Sequence, residues 1–138
     1  MTGSSQTEES EILSIDFQKL KSAAATGQDL IPAIAQDFET GDVLIIAYAN
    51  KEAVEYSLKH KKATFWSTSR NELWVKGAVS GDELELMEAR INCEQNSILY
   101  VVRPRGQGAC HTKNEKGQAR KSCFYRRIRD GRLEFIEK

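Results

Sequence analysis

No apolar run in this 138-residue chain approaches the roughly 18 residues of a membrane span, so no transmembrane helix is expected. An excess of one charge is missing too. Twenty Lys and Arg balance twenty Asp and Glu, which argues against a general nucleic-acid or membrane-surface binder, since both carry a basic surplus. The start, MTGSSQTEESE, is polar and acidic, without the basic-then-apolar order of a signal peptide, and a reducing cytoplasm is the expected compartment. Cysteine and histidine are scarce: Cys93, Cys110 and Cys123 stand beside only His60 and His111. An odd number of cysteines cannot all pair as disulfides within one chain.

What is present points to one domain over residues 13–138, long enough to bury a core, behind a flexible lead over residues 1–12 that is rich in Ser, Thr and Glu. Ser14 to Gln28 reads as a short helix, with Phe17, Leu20 and Ala24 at helical spacing and Gly27 as its stop. LIPAIAQDF and DVLIIAYAN read as a hairpin in which Gly41 takes a positive φ. Asn50 reads as the cap of a second helix, KEAVEYSLKHKK. ATFWSTS, ELWVKGA, DELELMEARIN and SILYVVRP read as strands, and CFYRRI with RLEFIEK as a closing hairpin around Asp130-Gly131. Thr112 to Ser122 is polar and reads as an exposed loop. The expected fold is α+β and β-rich, with a mixed or antiparallel sheet and two short helices.

Several groups could carry chemistry. Three thiolates can hold one Zn²⁺ and leave a fourth position open for water. The spacing C-x16-C-x12-C lacks the tight knuckle of structural zinc modules, and ordinary buried thiols account for three cysteines equally well. His111 directly follows Cys110, and histidine is the residue type suited to shuttling a proton; His60, at the end of a lysine-rich helix, reads as solvent-exposed. Trp66, Ser67, Ser69, Arg70 and Lys76 gather hydroxyls and cations suited to a phosphate, or simply form a hairpin with buried indoles and a polar tip. On a strand, Asn92, Glu94 and Asn96 would share one face; one carboxylate and two amides hold a hard cation weakly. The basic cluster at Arg120, Lys121, Arg126, Arg127, Arg129 and Arg132 reads as a solvated face.

Taken in order, the blocks Pro32-AIAQD, Ala47-Tyr48-Ala49-Asn50-Lys51-Glu52-Ala53, Trp66-Ser67-Thr68-Ser69-Arg70, Leu73-Trp74-Val75-Lys76-Gly77, Ala109-Cys110-His111-Thr112 and Ser122-Cys123-Phe124-Tyr125 closely resemble the phosphoribosyl-AMP cyclohydrolase family of histidine biosynthesis. The resemblance runs from about Leu30 to Arg126. It implies a sheet folded into a pseudobarrel and an intertwined homodimer with active sites at the interface. It further implies zinc held by Cys93, Cys110 and Cys123 from both subunits, His111 as the proton shuttle, and Trp66, Ser67, Ser69, Arg70 and Lys76 around a nucleotide substrate. The implied reaction is hydrolysis between N1 and C6 of the adenine ring of phosphoribosyl-AMP.

Three departures from the family pattern stand out. The family's D-C-D-x-D, whose aspartates bind Mg²⁺, is replaced by Asn92, Glu94 and Asn96 around Cys93, so a Mg²⁺ site there is expected to be weak or absent. Gly77-Ala78-Val79-Ser80-Gly81 stands where the family has G-E-T-S-G. Twelve residues rather than about six separate Cys110 from Cys123, a lengthening near Lys113 to Lys121 that a flexible loop absorbs at small entropic cost. Two other functions fit the same residues: a divergent zinc hydrolase with another nucleotide or amidine-like substrate, and a non-catalytic zinc-stapled dimer with His111 as fourth ligand.

Overall fold

A computed structural model describes residues 7–138. Residues 7–9 are helical (α1), followed by α2 (Lys19–Ala24), β1 (Ile31–Asp37), β2 (Val43–Ala49), α3 (Lys51–His60), β3 (Thr64–Ser67), β4 (Glu72–Val75), β5 (Leu84–Ile91), β6 (Ile98–Pro104), β7 (Arg126–Arg129) and β8 (Arg132–Phe135). A four-stranded sheet has the order β2-β1-β6-β5, and β3-β4 and β7-β8 form separate two-stranded ribbons. The sheet is mixed: β1 runs antiparallel to β2 but parallel to β6, and β5 is antiparallel to β6. The fold is therefore α+β and β-rich, as expected.

The local signals explain most boundaries. Gly41 closes the β1–β2 hairpin at φ 79°, a conformation that costs glycine nothing. The Asn50 side chain accepts the Ala53 N–H at 2.9 Å and caps α3. Asp130 and Gly131, both at positive φ, make the β7–β8 turn. The core lies between the sheet, α3 and β3, where Leu44, Phe65, Leu84, Tyr100 and Val102 are fully buried. Alanines at 33, 35, 49, 53 and 63 let these elements approach closely. Inside this core Ser57 accepts the Thr64 N–H at 2.9 Å and donates to the Ala53 carbonyl at 2.8 Å, which satisfies a strand start and a helix turn together.

Four expectations need correction. Among the described residues the helices are three, not two, because residues 7–9 add a turn. The first expected helix, Ser14 to Gln28, shrinks to Lys19–Ala24; Ile15, Phe17 and Leu20 stay exposed, so no packing extends its apolar stripe. The strands do not close into a pseudobarrel. The β3–β4 ribbon reaches the sheet's β5 edge through one bridge, Lys62 with Glu85, and its four-residue strands are too short for a continuous ladder. Lastly, the segment Thr112 to Ser122 is not simply exposed: Thr112, Ala119 and Arg120 are buried.

The flexible lead expected over residues 1–12 falls partly on residues 1–6, which lie outside the described residues. Residues 7–12 run along the C-terminal ribbon: Arg126 donates to the Thr7 and Ser10 carbonyls at 2.8 Å, and Ile12 bridges Arg132. No helix among the described residues is long and apolar enough to cross a membrane.

Candidate active site

Two loops and one ribbon build a cleft of about 290 Å³, lined by Arg70, Trp74, Lys76, Ser80, Asp82, Cys110, His111, Lys113 and Cys123 among others. The loop bearing Cys110 is held by a short ladder. Ala109 N–H donates to the Lys121 carbonyl and Cys110 N–H to the Arg120 carbonyl, both at 3.0 Å, while Arg120 N–H returns to the Thr112 carbonyl at 3.1 Å. This close approach requires Gly108, where an added Cβ would lie 2.3 Å from the Arg120 carbonyl oxygen. The far end of the loop is tied to β2: Cys123 N–H donates to the Leu44 carbonyl at 2.8 Å, and the Ser122 hydroxyl to that of Val43 at 2.7 Å. With twelve residues between them in sequence, the two cysteines are thereby brought to one cleft.

Both sulfurs line the cleft, and each shifts the other's protonation. The Cys123 thiol donating to Cys110 is the chief reason the latter's pKa falls to about 5, with the Thr112 hydroxyl adding to the effect. The same bond pushes the Cys123 thiol up, because it keeps its proton as the donor. The two shifts belong to the pair, with Cys110 moved down and Cys123 moved up. Lys76 sits beside them, only 5% exposed, with Nζ donating to the Asp82 carbonyl at 3.2 Å. Burial lowers its pKa, opposed by Asp82 and by the two sulfurs. The turn carrying Lys76 depends on Gly77, at φ 80°, where a Cβ would sit 2.2 Å from the Asp82 carbonyl carbon.

The remaining predicted residues divide. His111 lines the cleft with its side chain 74% exposed, and its Nε2 pairs with the Glu8 carboxylate. Arg70 lines it too; its Nε lies 3.5 Å from the Ser67 hydroxyl, which itself contacts Ser69 at 3.3 Å. Trp66 points elsewhere, its indole N–H donating to Asn71 at 2.9 Å, and it is Trp74 that reaches the cleft. Cys93 is exposed in the turn between β5 and β6, away from the other two cysteines. Asn92, Glu94 and Asn96 do not share a strand face, because β5 ends at Ile91. Asn92 Oδ1 accepts the backbone N–H groups of Asn96 and Ser97 at 2.9 Å, and its amide donates to Asn96 Oδ1 at 2.7 Å, forming a turn with Gln95 at φ 55°. Of that trio Glu94 alone carries a carboxylate.

Thiolates are what zinc takes from cysteine. The Cys110–Cys123 pair therefore fits that metal in kind, although no group of three Cys, His, Asp or Glu side chains assembles among the described residues of one chain. Sequence reasoning missed Asp82, Glu8, Glu9 and the buried place of Arg120. Arg120 stands 111 residues from its carboxylate partner Glu9, so no local pattern could have joined them.

Two cysteines, a buried lysine and an arginine around one cleft on a β-rich frame define an enzyme-type site. The family model for phosphoribosyl-AMP cyclohydrolase matches residues 45–125, a span containing every residue that lines the cleft. A phosphoribosyl-AMP cyclohydrolase of Hyphomonas neptunium is 50% identical over 109 residues, covering 79% of this chain and 78% of its own. One from Chloroherpeton thalassium is 52% identical over 99 residues, 72% of this chain and 66% of its own. One from Desulfatibacillum aliphaticivorans is 40% identical over 125 residues, 91% and 90% of the two chains. The chain belongs to the phosphoribosyl-AMP cyclohydrolase family and is an enzyme of the hydrolase class.

Proposed function

We propose that this chain opens the adenine ring of phosphoribosyl-AMP by hydrolysis between N1 and C6, the third step of histidine biosynthesis, as a cytoplasmic, zinc-dependent homodimer. The observation that carries the reading is the Cys110–Cys123 pair, with the Cys110 pKa drawn down, in a cleft with Lys76 and Arg70. Cys93 of a second copy would complete the set of three thiolates, which is why the reading places the active site between subunits. When bound, zinc supplies the Lewis acidity that makes water a nucleophile near neutral pH.

The chain's own residues do the rest. N1 substitution makes C6 electrophilic, and water adds there. His111, held by Glu8 beside Cys110, takes the proton of the attacking water and returns it to N1 as the N1–C6 bond breaks. C6 leaves as a carboxamide carbon and N1 as an amidine nitrogen, so atoms and protons balance. Arg70, positioned by the Ser67 hydroxyl, and Lys76 offer the cations for the phosphoribosyl groups, with Ser69 at the same turn. Trp66 holds that turn through Asn71 and acts from outside the cleft. Mg²⁺ has no role in this reading, since the amides of Asn92 and Asn96 are spent on each other and on the backbone.

The deciding experiment is turnover of phosphoribosyl-AMP by zinc-loaded protein, followed by growth of a histidine auxotroph carrying this chain. Turnover that disappears on chelation and returns with zinc is the expected result. Zinc binding without turnover would transfer the site to another nucleotide or amidine-like substrate.

A further inference from the structure

The segment separating Cys110 from Cys123 does more than bridge a gap. Near its end it sends Arg120 inward, where the residue is only 1% exposed. A guanidinium so placed must be matched by acceptors, because burying an unpaired charge is costly. Glu9, from α1, supplies a bidentate carboxylate: Arg120 Nη1 and Nη2 donate to its two oxygens at 2.8 and 2.9 Å. The ring of Tyr125 lies 4.2 Å beneath the guanidinium carbon and fixes its plane. Held in this way, Nη1 also reaches the Thr112 hydroxyl at 3.1 Å. That hydroxyl lies 3.0 Å from the Cys110 sulfur.

The direction of these bonds follows from what each group is able to do. Arginine donates and never accepts, so the Thr112 oxygen must be the acceptor of the Arg120 bond. Its single proton is then left to point at Cys110 Sγ. We propose that Arg120 is a positioning residue: anchored by Glu9, it sets the Thr112 hydroxyl as a hydrogen-bond donor to the Cys110 sulfur and so tunes that sulfur as a metal ligand. Groups that orient a ligand from behind commonly change metal affinity by about 10–100-fold when removed. The lengthened loop thus carries a support for the site, and α1 carries the support's anchor. This inference rests on the zinc reading above.

The test is a double-mutant cycle on zinc affinity, measured by competition with a chromophoric chelator, with the sulfur-to-cobalt charge-transfer band of the cobalt-loaded protein as a second readout. Thr112→Val is expected to weaken zinc binding about tenfold and shift the cobalt band, and Thr112→Ser to restore both. Arg120→Met is expected to weaken zinc to a similar degree in the native background and by less than about threefold in the Thr112→Val background, because its effect passes through that hydroxyl. Should Arg120→Met not fold, Glu9→Gln, which loosens the same guanidinium from the surface, runs the same cycle. Equal losses in both backgrounds, or a Thr112→Val protein with native zinc affinity beside a Cys110→Ser protein that has lost zinc, would overturn this inference while leaving the zinc reading intact. A native protein that binds no zinc would overturn both.

Discussion

The three cysteines occupy two contrasting regions. Cys110 and Cys123 sit on a loop whose backbone is laddered onto itself and onto β2, and their sulfurs shift each other's pKa in opposite directions. Cys93, exposed as Cys123 is, sits instead on a tight turn whose polar groups are satisfied locally by Asn92 and Asn96. What differs is the neighbourhood: Cys110 and Cys123 face each other's sulfurs and Lys76 in the cleft, whereas Cys93 stands on a turn closed by amides. Under the proposed reading, a second copy would supply its Cys93 to this pair.

The largest expected effect comes from breaking the prepared pair. Cys110→Ser and Cys123→Ser should each lose zinc and turnover together, as read by metal content per chain and by the phosphoribosyl-AMP assay. Cys93→Ser should match them, despite its distance. The contrast sharpens on mixing: refolding Cys93→Ser with Cys110→Ser at equal amounts should restore about a quarter of native activity, since half the dimers are mixed and each holds one intact site of two. No recovery on mixing would mean that the thiols act within one subunit.

Next in size is His111→Ala, which should keep zinc while turnover falls by about 10²–10⁴, the usual worth of a general acid–base group. A native rate in that variant would assign the proton transfer to another group.

The opposite shifts of Cys110 and Cys123 predict a pH effect in the metal-free protein. Cys110 is held at about 5 in the fold against roughly 8.5 in an unfolded chain. This contribution is complete above the unfolded value and is lost as pH falls through about 5. Cys123 is raised and acts with the opposite sign, its contribution complete below the unfolded value and lost as pH climbs past it. Stability in urea should therefore rise from about pH 5 to roughly 8.5 and decline beyond. Cys110→Ala should remove the rise; a rise that persists unchanged in that variant would locate its source elsewhere.

The smallest effect lies at the other region. Asn92→Ala strips the Asn96 and Ser97 N–H groups of their shared acceptor on an exposed turn, and should cost about 1 kcal/mol in urea denaturation, water replacing part of what is lost.

Much of the frame was legible along the chain. Gly41, Asn50 and Asp130-Gly131 announced their turns and cap because the backbone conformations they favour are local properties. The strands were legible as alternating or continuous apolar runs. Where local patterns extended too far, packing was the cause. The helix expected from Ser14 stops short because nothing covers Phe17, and the strand through Asn92 stops because that amide finds a turn instead. The Asn92, Glu94 and Asn96 trio loses its common face for the same reason.

By itself the sequence determined the turns, the caps, the ordered blocks that mark the family, and which residue types were available for chemistry. These are properties of single residues and their near neighbours. Only the tertiary structure decided that Cys110 and Cys123 line one cleft, that Cys93 stands apart from it, that Trp74 rather than Trp66 enters the cleft, and that Arg120 is buried against Glu9. Each of those depends on a contact between segments far apart in the chain, whose energy exists only once the sheet and its ribbons have brought them together.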